Sequence, residues 1–220
     1  MIMKNIVTII SLLFFVQLGQ TQRILIINGT AHIGNGEVVE TAAIGISNGK
    51  ILFVKNALTN AIQRKEWDTI IDAENQHVYP GFVAANSTLG LTEIDAVRAT
   101  RDFNDVGELN PHVRAQVAFN VESRVIETVR SNGVMIAQAS PRGGIISGSS
   151  AAMFLAGWNW EDATVLADDG IHVNWPASTQ GGGWWAEPAP KSRNTNYQKE
   201  KQTIVDFFQL AKVYAESQKT

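Results

Sequence analysis

The fold of this chain is decided by residues 78–88, which read VYPGFVAANST. Residues 78–85 form an apolar run of strand length, and two polar residues, Asn86 and Thr88, stand at its end. Positions i and i+2 on a strand point to the same face, so these two side chains are predicted to lie side by side. Their amide and hydroxyl oxygens are hard, neutral and weak metal ligands.

The residues after this strand indicate the order strand, helix, strand. A helix is predicted over Pro111–Asn132, with Asn120 or Ser123 as its cap and Asn132-Gly133 as its stop. The next buried strand is predicted over Gly133–Ala139. This order implies a parallel, right-handed crossover within one sheet.

The remaining residues predict a glycine-rich bend, a strand, a hairpin, a long loop and a last helix. In chain order these are Ser140–Gly148, Ser150–Leu155, Ala163–Trp175, Ala177–Asn196 and Tyr197–Ser217. The loop carries the run GGGWW at residues 181–185. Residues 78–220 are therefore assigned to one domain with a hairpin and a Gly/Trp-rich loop inserted.

Short runs rich in Ile and Val precede this domain and predict a small antiparallel β-sandwich over residues 23–77. The runs are Arg23–Asn28, Ala42–Ser47, Lys50–Lys55 and Thr69–Asp72. Asn28-Gly29 and Asn48-Gly49 separate them, and Asn-Gly is the strongest short-range hairpin signal because both residues accept positive φ.

The N-terminus has the pattern of a secretory signal peptide over residues 1–20. Lys4 supplies the charge, Ile6–Val16 is mostly apolar, and the run is too short for a membrane span. The sequence predicts export to the periplasm or outside the cell. The chain has no cysteine, so the exported protein has neither disulfides nor a lipid-modified cysteine.

Composition excludes one class of function. The formal net charge is −3 and the basic residues are scattered, so the chain lacks the basic stripe that nucleic-acid binding requires. We expect neither a nucleic-acid nor a membrane partner.

Three features together resemble the amidohydrolase superfamily, in particular its imidazolonepropionase-like or dihydroorotase-like members. An Asn28-Gly29 strand leads into the run SNGKI at residues 47–51, Asp72 precedes the VYPGF run, and Asn132-Gly133-Val134 opens the second strand before a bend. Each feature is weak alone, but their order extends over about two thirds of the chain, Ile24 to Pro176.

The resemblance implies an α/β protein: a small N-terminal β-sandwich followed by the first part of an incomplete (β/α)₈ barrel. It also implies a reaction, the hydrolysis of C–N bonds in cyclic or other non-peptide amides by a metal-activated water. In a full-length member the cofactor is a divalent metal, and zinc is expected.

The chain departs from the family at the positions that should hold the metal. The two histidines of the family fall on Asn86 and Thr88, and an acidic residue that often precedes them falls on Ala84. We therefore expect no metal on this chain alone. Asn86 and Thr88 remain candidates for contact with a small-molecule substrate.

The second departure is length. Further ligands of the family lie in a C-terminal half without counterpart here, and a barrel needs about eight strands. The Gly133–Ala139 strand would be left as an unpaired edge. The sequence thus predicts a fragment, a truncated product or half of a split assembly, completed by the missing half or by a second chain.

The four histidines are His32, His77, His112 and His172, and none has a second ligand at metal-binding spacing. His112 is the best candidate among them for the substrate face, because it adjoins an acidic stretch. That stretch is interpreted as a solvated loop with surface ion pairs, whose members are Glu93, Asp95, Asp102, Asp105 and Glu108 with Arg98, Arg101 and Arg114.

Two further motifs are interpreted as structural. Arg142-Gly143-Gly144 is read as a tight bend, since it lacks a phosphate-binding glycine pattern. Gly-x-Ser-x-Gly does not occur in the sequence, which argues against a serine hydrolase. Trp184 and Trp185 lie in a polar loop and are predicted to serve an interface.

Two functions follow from this sequence. The first is an exported amidohydrolase-like protein, inactive as the isolated chain. The alternative is a catalytically inert binding or assembly protein with a degenerate metal site.

Overall fold

The computed structural model describes residues 22–184 and 186–219. The predicted signal peptide lies outside these residues. The chain divides into two compact units between Pro80 and Gly81. Among the described helices, none combines the length and the apolar character that crossing a bilayer requires.

The first unit is built on one five-stranded sheet. Its strands are β1 Ile24–His32, β2 Val38–Ser47, β3 Lys50–Asn56, β4 Thr69–Asp72 and β5 His77–Val78. The order is β3-β2-β1-β4, and β5 pairs with the far end of β1. A 3₁₀ turn, Arg64–Glu66, precedes β4. The predicted strands are confirmed, each in place and some longer than expected.

The purely antiparallel sheet is a wrong prediction. β1, β2 and β3 are antiparallel, but β4 and β5 run parallel to β1. The connection from β3 returns along a longer path, so β4 enters from the same end as β1. The described residues of this unit form a single sheet, and the second layer of a sandwich remains a prediction.

The two Asn-Gly pairs adopt different structures. Asn48 and Gly49 have φ of 54° and 69° and make the tight turn between β2 and β3, as predicted. Asn28 and Gly29 instead lie inside β1, where Asn28 has φ of 58° and the pairing with β2 shifts register. Asn28-Gly29 is therefore a bulge within a strand.

The bulge in β1 exchanges the two faces of the strand. Before it, Leu25 and Ile27 pack on one side with Ala43. After it, Ala31 packs with Ala42 and Ile44 in a different cluster. An extra residue shifts the strict alternation of a strand by one position, so one strand contributes to both cores.

The described residues of the second unit form a four-stranded sheet, a separate hairpin and three α-helices. The strands of the sheet are β6 Phe82–Ser87, β7 Val134–Ala139, β8 Ile146–Phe154 and β9 Thr164–Val173, and those of the hairpin are β10 Thr179–Trp184 and β11 Glu187–Arg193. The helices are α1 Arg124–Ser131, α2 Trp160–Ala163 and α3 Tyr197–Ser217, with 3₁₀ turns at Arg98–Thr100 and Ala115–Ala118.

The parallel pairing of the first two strands is confirmed, since β6 and β7 run parallel with α1 between them. The helix is shorter than predicted. Residues 108–114 extend beside β8 instead: Asn110 N–H donates to the Ile146 carbonyl and Ser149 N–H donates to the Val113 carbonyl. Backbone pairing with a distant strand therefore outweighs the local preference for helix in this segment.

The predicted unpaired edge is wrong. β7 lies between β6 and β8, and β8 and β9 are both antiparallel to their neighbours. The chain reverses at the bend over residues 140–145 rather than crossing over through a helix. Only the β6–β7 pair of this sheet thus has the parallel geometry of a barrel, and the incomplete barrel remains a prediction.

Two later assignments also change. The hairpin predicted over Ala163–Trp175 is one long strand, β9, whose partner is β8. The segment predicted as loop contains the antiparallel hairpin β10–β11, in which positive φ at Gly181, Gly182 and Gly183 permits the twist. The last helix is confirmed as α3, although Ile204 is its one residue classed as buried.

Candidate functional site

The sequence-predicted site begins at the end of β6, where Asn86 has a φ of 52°. The pairing with β7 skips there, from Ala84 opposite Ala137 to Ser87 opposite Ala139. A left-handed residue inside a strand interrupts the alternation of side chains. The shared face of Asn86 and Thr88 therefore stays a prediction, because the rule behind it applies to a regular strand.

Two side chains hold the backbone of Asn86 in this conformation. Its N–H donates to Oε1 of Gln138 at 2.9 Å, and its carbonyl accepts from Nη2 of Arg142 at 2.7 Å. Gln138 lies on β7 and Arg142 in the bend that follows it. Both backbone groups of Asn86 are thus satisfied, while its own side chain is exposed.

The network continues across the sheet to β9. Nε2 of Gln138 donates to Oδ2 of Asp169 at 2.6 Å, and the hydroxyl of Ser150 donates to the other carboxylate oxygen. Ser150 is fully buried on β8. Asp169 therefore links three strands through charge-assisted hydrogen bonds, which are stronger than neutral ones.

A second carboxylate, Asp168, is held beside the first. Oγ of Ser149 donates to its Oδ1 at 2.6 Å, and Arg114 Nη2 lies 2.8 Å from its Oδ2. The hydrogen bond from Ser149 lowers the pKa of Asp168 below its ordinary value of 3.8, and the bond from Arg114 lowers it further by a smaller amount. The sequence had predicted that Arg114 pairs with the acidic stretch. Arg114 instead pairs with Asp168 of β9.

His172 lies on the same strand, opposite Gly148 of β8. Burial lowers the pKa of its imidazole, the negative charge of Asp169 opposes that effect, and Arg142 adds to it. The imidazole is therefore biased toward its neutral form, in which one ring nitrogen accepts and the other donates.

Sequence reasoning singled out none of Gln138, Ser150, Asp169 and His172 as site residues. One signal was visible: Gln138 is the only polar residue in the strand sequence VMIAQA, and the pair Asp168-Asp169 interrupts a largely apolar strand. Both signals become informative only once the register of β7, β8 and β9 is known, because the strands are distant in sequence.

The other predicted residues lie apart from this network. His112 is exposed in the segment before the 3₁₀ turn at Ala115–Ala118. Glu93 accepts bonds from Nδ2 of Asn120 at 3.0 Å and from Oγ of Ser123 at 2.8 Å. Ser123 precedes α1 but makes no side-chain cap, since its hydroxyl is committed to Glu93. At least one residue of the acidic stretch thus fixes a loop.

The glycine bend is confirmed as a structural feature. Gly143 and Gly144 have φ of 85° and 60°. A Cβ on Gly144 would lie 2.8 Å from the carbonyl oxygen of Gly107 and 2.9 Å from that of Glu108. Only glycine combines this φ with so close an approach to a second backbone.

The tryptophans occupy different environments. Trp160 packs against the core of the unit, whereas Trp158 is 90% exposed and Trp175 is 57% exposed. Trp185 and the side chain of Trp184 lie outside the described residues. Their interface role therefore stays a prediction.

The sheet of the second unit has one covered and one open face. Ala137, Ala139, Ala151 and Met153 are fully buried in a cluster that includes Ile126 of α1. On the opposite face, Val83, Ile136 and Phe154 align across three strands, and Val83 is 61% exposed. The polar network lies on this open face, because Gln138 follows Ile136 at i+2.

The zinc implied by the family resemblance does not fit the residues present. In the described part of the chain, no three His, Asp or Glu side chains gather closely enough to hold an ion. The two candidate ligands at β6 are an amide and a hydroxyl, which are poor substitutes for imidazole. No catalytic step through a metal is therefore derived from these side chains.

Comparison of the structure with solved structures identifies the fold. An amidohydrolase from Thermotoga maritima MSB8 matches with a TM-score of 0.70 and 21% identity, over 89% of this chain and 49% of that one. The chain has an amidohydrolase-like fold. It spans about half the length of this relative. The A. niger ochratoxinase matches over 36% of this chain and 18% of that one, with 22% identity and a TM-score of 0.27.

Sequence comparisons add nothing to this likeness. No protein family matches the chain. No curated protein matches it either.

Proposed function

We propose that this chain provides half of an amidohydrolase-type hydrolase, and that the metal and its ligands are supplied by the other half. The reaction of the completed protein would be the hydrolysis of C–N bonds in cyclic or other non-peptide amides. The observation that carries the proposal is the fold likeness, which extends over 89% of this chain but only 49% of the amidohydrolase it resembles.

The open face of the second unit supports a completing partner. Val83, Phe154 and Leu166 stand on this face, and each is between 41% and 61% exposed. Fully burying a large apolar side chain is worth about 1.5–3 kcal/mol, so a partner that covers all three gains a substantial part of that for each. The partner we propose is the C-terminal half of the same fold, whether on a longer chain or on a second one.

The residues of this chain would then position a substrate or a water, and they would not activate it. Gln138 and Arg142 fix the backbone of Asn86, which leaves its amide side chain exposed at the end of β6. An amide offers one acceptor oxygen and two donor hydrogens. Asn86, with Thr88 and His112 as further candidates, would orient a small amide substrate or a water at the edge of the completed site.

Export is part of the proposal. Residues 1–20 combine a charged start, an apolar run and a polar end. Expression of the full chain in a bacterial host followed by fractionation and N-terminal sequencing tests this directly. We expect a periplasmic or secreted product that lacks about the first 20 residues; an uncleaved product in the cytoplasm would contradict export.

The experiment for the main proposal has two stages. First, the purified chain is assayed for hydrolysis of a panel of cyclic amides with Zn²⁺ supplied; we expect no turnover. Second, the reading frame that follows this sequence in its source genome is examined for histidine and aspartate ligands, and the completed protein is purified. Zinc-dependent hydrolysis by the completed protein supports the proposal, while hydrolysis by the isolated chain contradicts it.

A second function is favoured by one specific observation. The polar groups of the open face are engaged with one another, since Asp169 accepts hydrogen bonds from both Gln138 and Ser150. Such engagement suits a catalytically inert binding or assembly protein with a degenerate metal site. A completed protein that is folded and shows no zinc-dependent hydrolysis would support this alternative.

A further inference from the structure

A pair of histidines, His32 and His77, lies in the first unit. Nε2 of His32 and Nδ1 of His77 are 2.8 Å apart. The residues are 45 positions apart in sequence, so folding, and not local spacing, brings them together. This is why their spacing gave no metal-site signal.

Sheet pairing explains the approach of the two rings. His77 of β5 pairs with Thr30 of β1, and His32 follows Thr30 at i+2 on the same face. Ala31, between them, points to the opposite side and is buried there. The two imidazoles are thus attached to neighbouring strands of one sheet, which fixes the distance between their backbones.

An aromatic ring orients one member of the pair. Tyr79 stacks on His32 with ring centroids 4.3 Å apart and planes 10° from parallel. The planes of the two imidazoles are 36° apart. Tyr79 is 58% exposed and His77 is exposed, so water reaches the pair from the outside. Stacking restricts the His32 ring without removing its access to solvent.

We propose that His32 and His77 form a two-histidine site for a divalent transition-metal ion of the Zn²⁺ or Cu²⁺ type. Imidazole suits these ions, and zinc–nitrogen bonds of about 2.0–2.1 Å place two nitrogens on a tetrahedral ion about 3.3 Å apart. The two nitrogens are 2.8 Å apart in a hydrogen bond that the ion would replace, and small rotations of the half-buried His32 and the exposed His77 supply the difference. The remaining positions go to water, because within the described residues no third His, Asp or Glu joins the pair.

The consequence of binding is a link between β1 and β5. β5 has only two residues. An ion that bridges His32 and His77 ties this short strand to the sheet. A ligand that binds only the folded state raises stability, so the melting temperature of the first unit rises with metal concentration.

The test uses the full chain, stripped of metal with a chelator and titrated with Zn²⁺ alone by isothermal calorimetry. We expect one ion per chain, with affinity at least tenfold weaker in His32→Gln and in His77→Gln. His112→Gln is the matched control, since it removes an exposed imidazole elsewhere, and we expect unchanged binding. Electron paramagnetic resonance of the Cu²⁺ complex supplies the ligand count, with two imidazole nitrogens expected in the wild type and one in either variant.

The proposal is overturned if the wild type binds no Zn²⁺ at submillimolar concentration, or if binding survives in both single variants. Circular dichroism of each variant establishes that the fold is retained, and glutamine keeps the capacity to hydrogen-bond across the pair. This site is independent of the proposed function, because all of its residues belong to the first unit.

Discussion

The guanidinium of Arg142 donates a hydrogen bond of 2.7 Å to the carbonyl oxygen of Asn86. Arg142 belongs to the bend after β7, and Asn86 lies near the end of β6. The bond therefore joins two segments that are 56 positions apart in sequence. It stands where the pairing of β6 with β7 skips between Ala84 and Ser87. The candidate site is therefore supported by a side chain that sequence analysis had assigned to a simple bend.

Replacement of Arg142 should loosen this end of the sheet. Hydrogen bonds to charged groups contribute about 1.5–3 kcal/mol when well formed, and partial exposure reduces this, so Arg142→Ala should lower the free energy of unfolding by about 1–2 kcal/mol. Urea denaturation followed by circular dichroism measures the change. Arg98→Ala is the control, because Arg98 is exposed and forms no ion pair among the described residues. Equal effects of the two substitutions would argue against a supporting role for Arg142.

The left-handed backbone of Asn86 makes a second prediction. A β-branched residue is unfavourable at a φ of 52°, so Asn86→Val should cost about 1–2 kcal/mol of unfolding free energy, while Asn86→Gly should cost little. Ala85→Val is the matched control on the same strand, where φ is negative and valine suits the conformation. Comparable losses for both valine variants would show that the strand is regular at Asn86 in solution.

The pKa of Asp168 leads to a pH-dependent prediction. Because the pKa is lowered in the folded protein, the carboxylate stabilises the fold above its ordinary value of 3.8, and this stabilisation is lost as pH falls through the folded value. Asp168→Asn removes it at every pH and keeps a residue that tolerates the φ of 48°. The difference in urea midpoint between wild type and variant should therefore be largest near neutral pH and shrink toward pH 3. Ser149→Ala removes a hydrogen bond that lowers this pKa, so the urea midpoint of that variant should also depend less on pH than that of the wild type.

The covered and open faces of the second unit should respond differently to truncation. Met153 is fully buried, so Met153→Ala should cost about 2–5 kcal/mol, as is typical of large-to-small changes in a core. Its neighbour Phe154 is 41% exposed on the open face, and Phe154→Ala should cost less although it removes more atoms. Thermal denaturation of the two variants provides the comparison. A larger loss for Phe154→Ala would mean that the open face is covered in the isolated chain.

The sequence predicted where strands and helices lie better than it predicted which strands pair with each other. Strands β1 to β4 and helix α3 were identified from local runs of Ile and Val or from helical spacing, because these signals are local. The antiparallel pairing of β8 with β7 was missed, because the residues from Ser140 onward are compatible both with a short bend and with the start of a crossover connection. In the same way Asn86 was proposed as a site residue from its place after a strand, whereas the contacts of its backbone with Gln138 and Arg142 depend on register between distant segments.

Glycine at position 148 should be indispensable where glycine at position 170 is not. Gly148 has a φ of 124°, and an added Cβ would lie 2.5 Å from the carbonyl oxygen of Val113, which is itself the acceptor for Ser149 N–H. Gly148→Ala therefore strains the backbone and separates the 108–114 segment from β8, at a cost of about 2 kcal/mol or more. At Gly170 the nearest atom to an added Cβ is Oγ of Ser150 at 3.9 Å, an ordinary contact. Gly170→Ala should be neutral or slightly stabilising, because alanine reduces the entropy of the unfolded chain. Urea denaturation of both variants, with Trp fluorescence as the signal, decides the matter; equal stabilities would show that the 108–114 segment does not pack against β8.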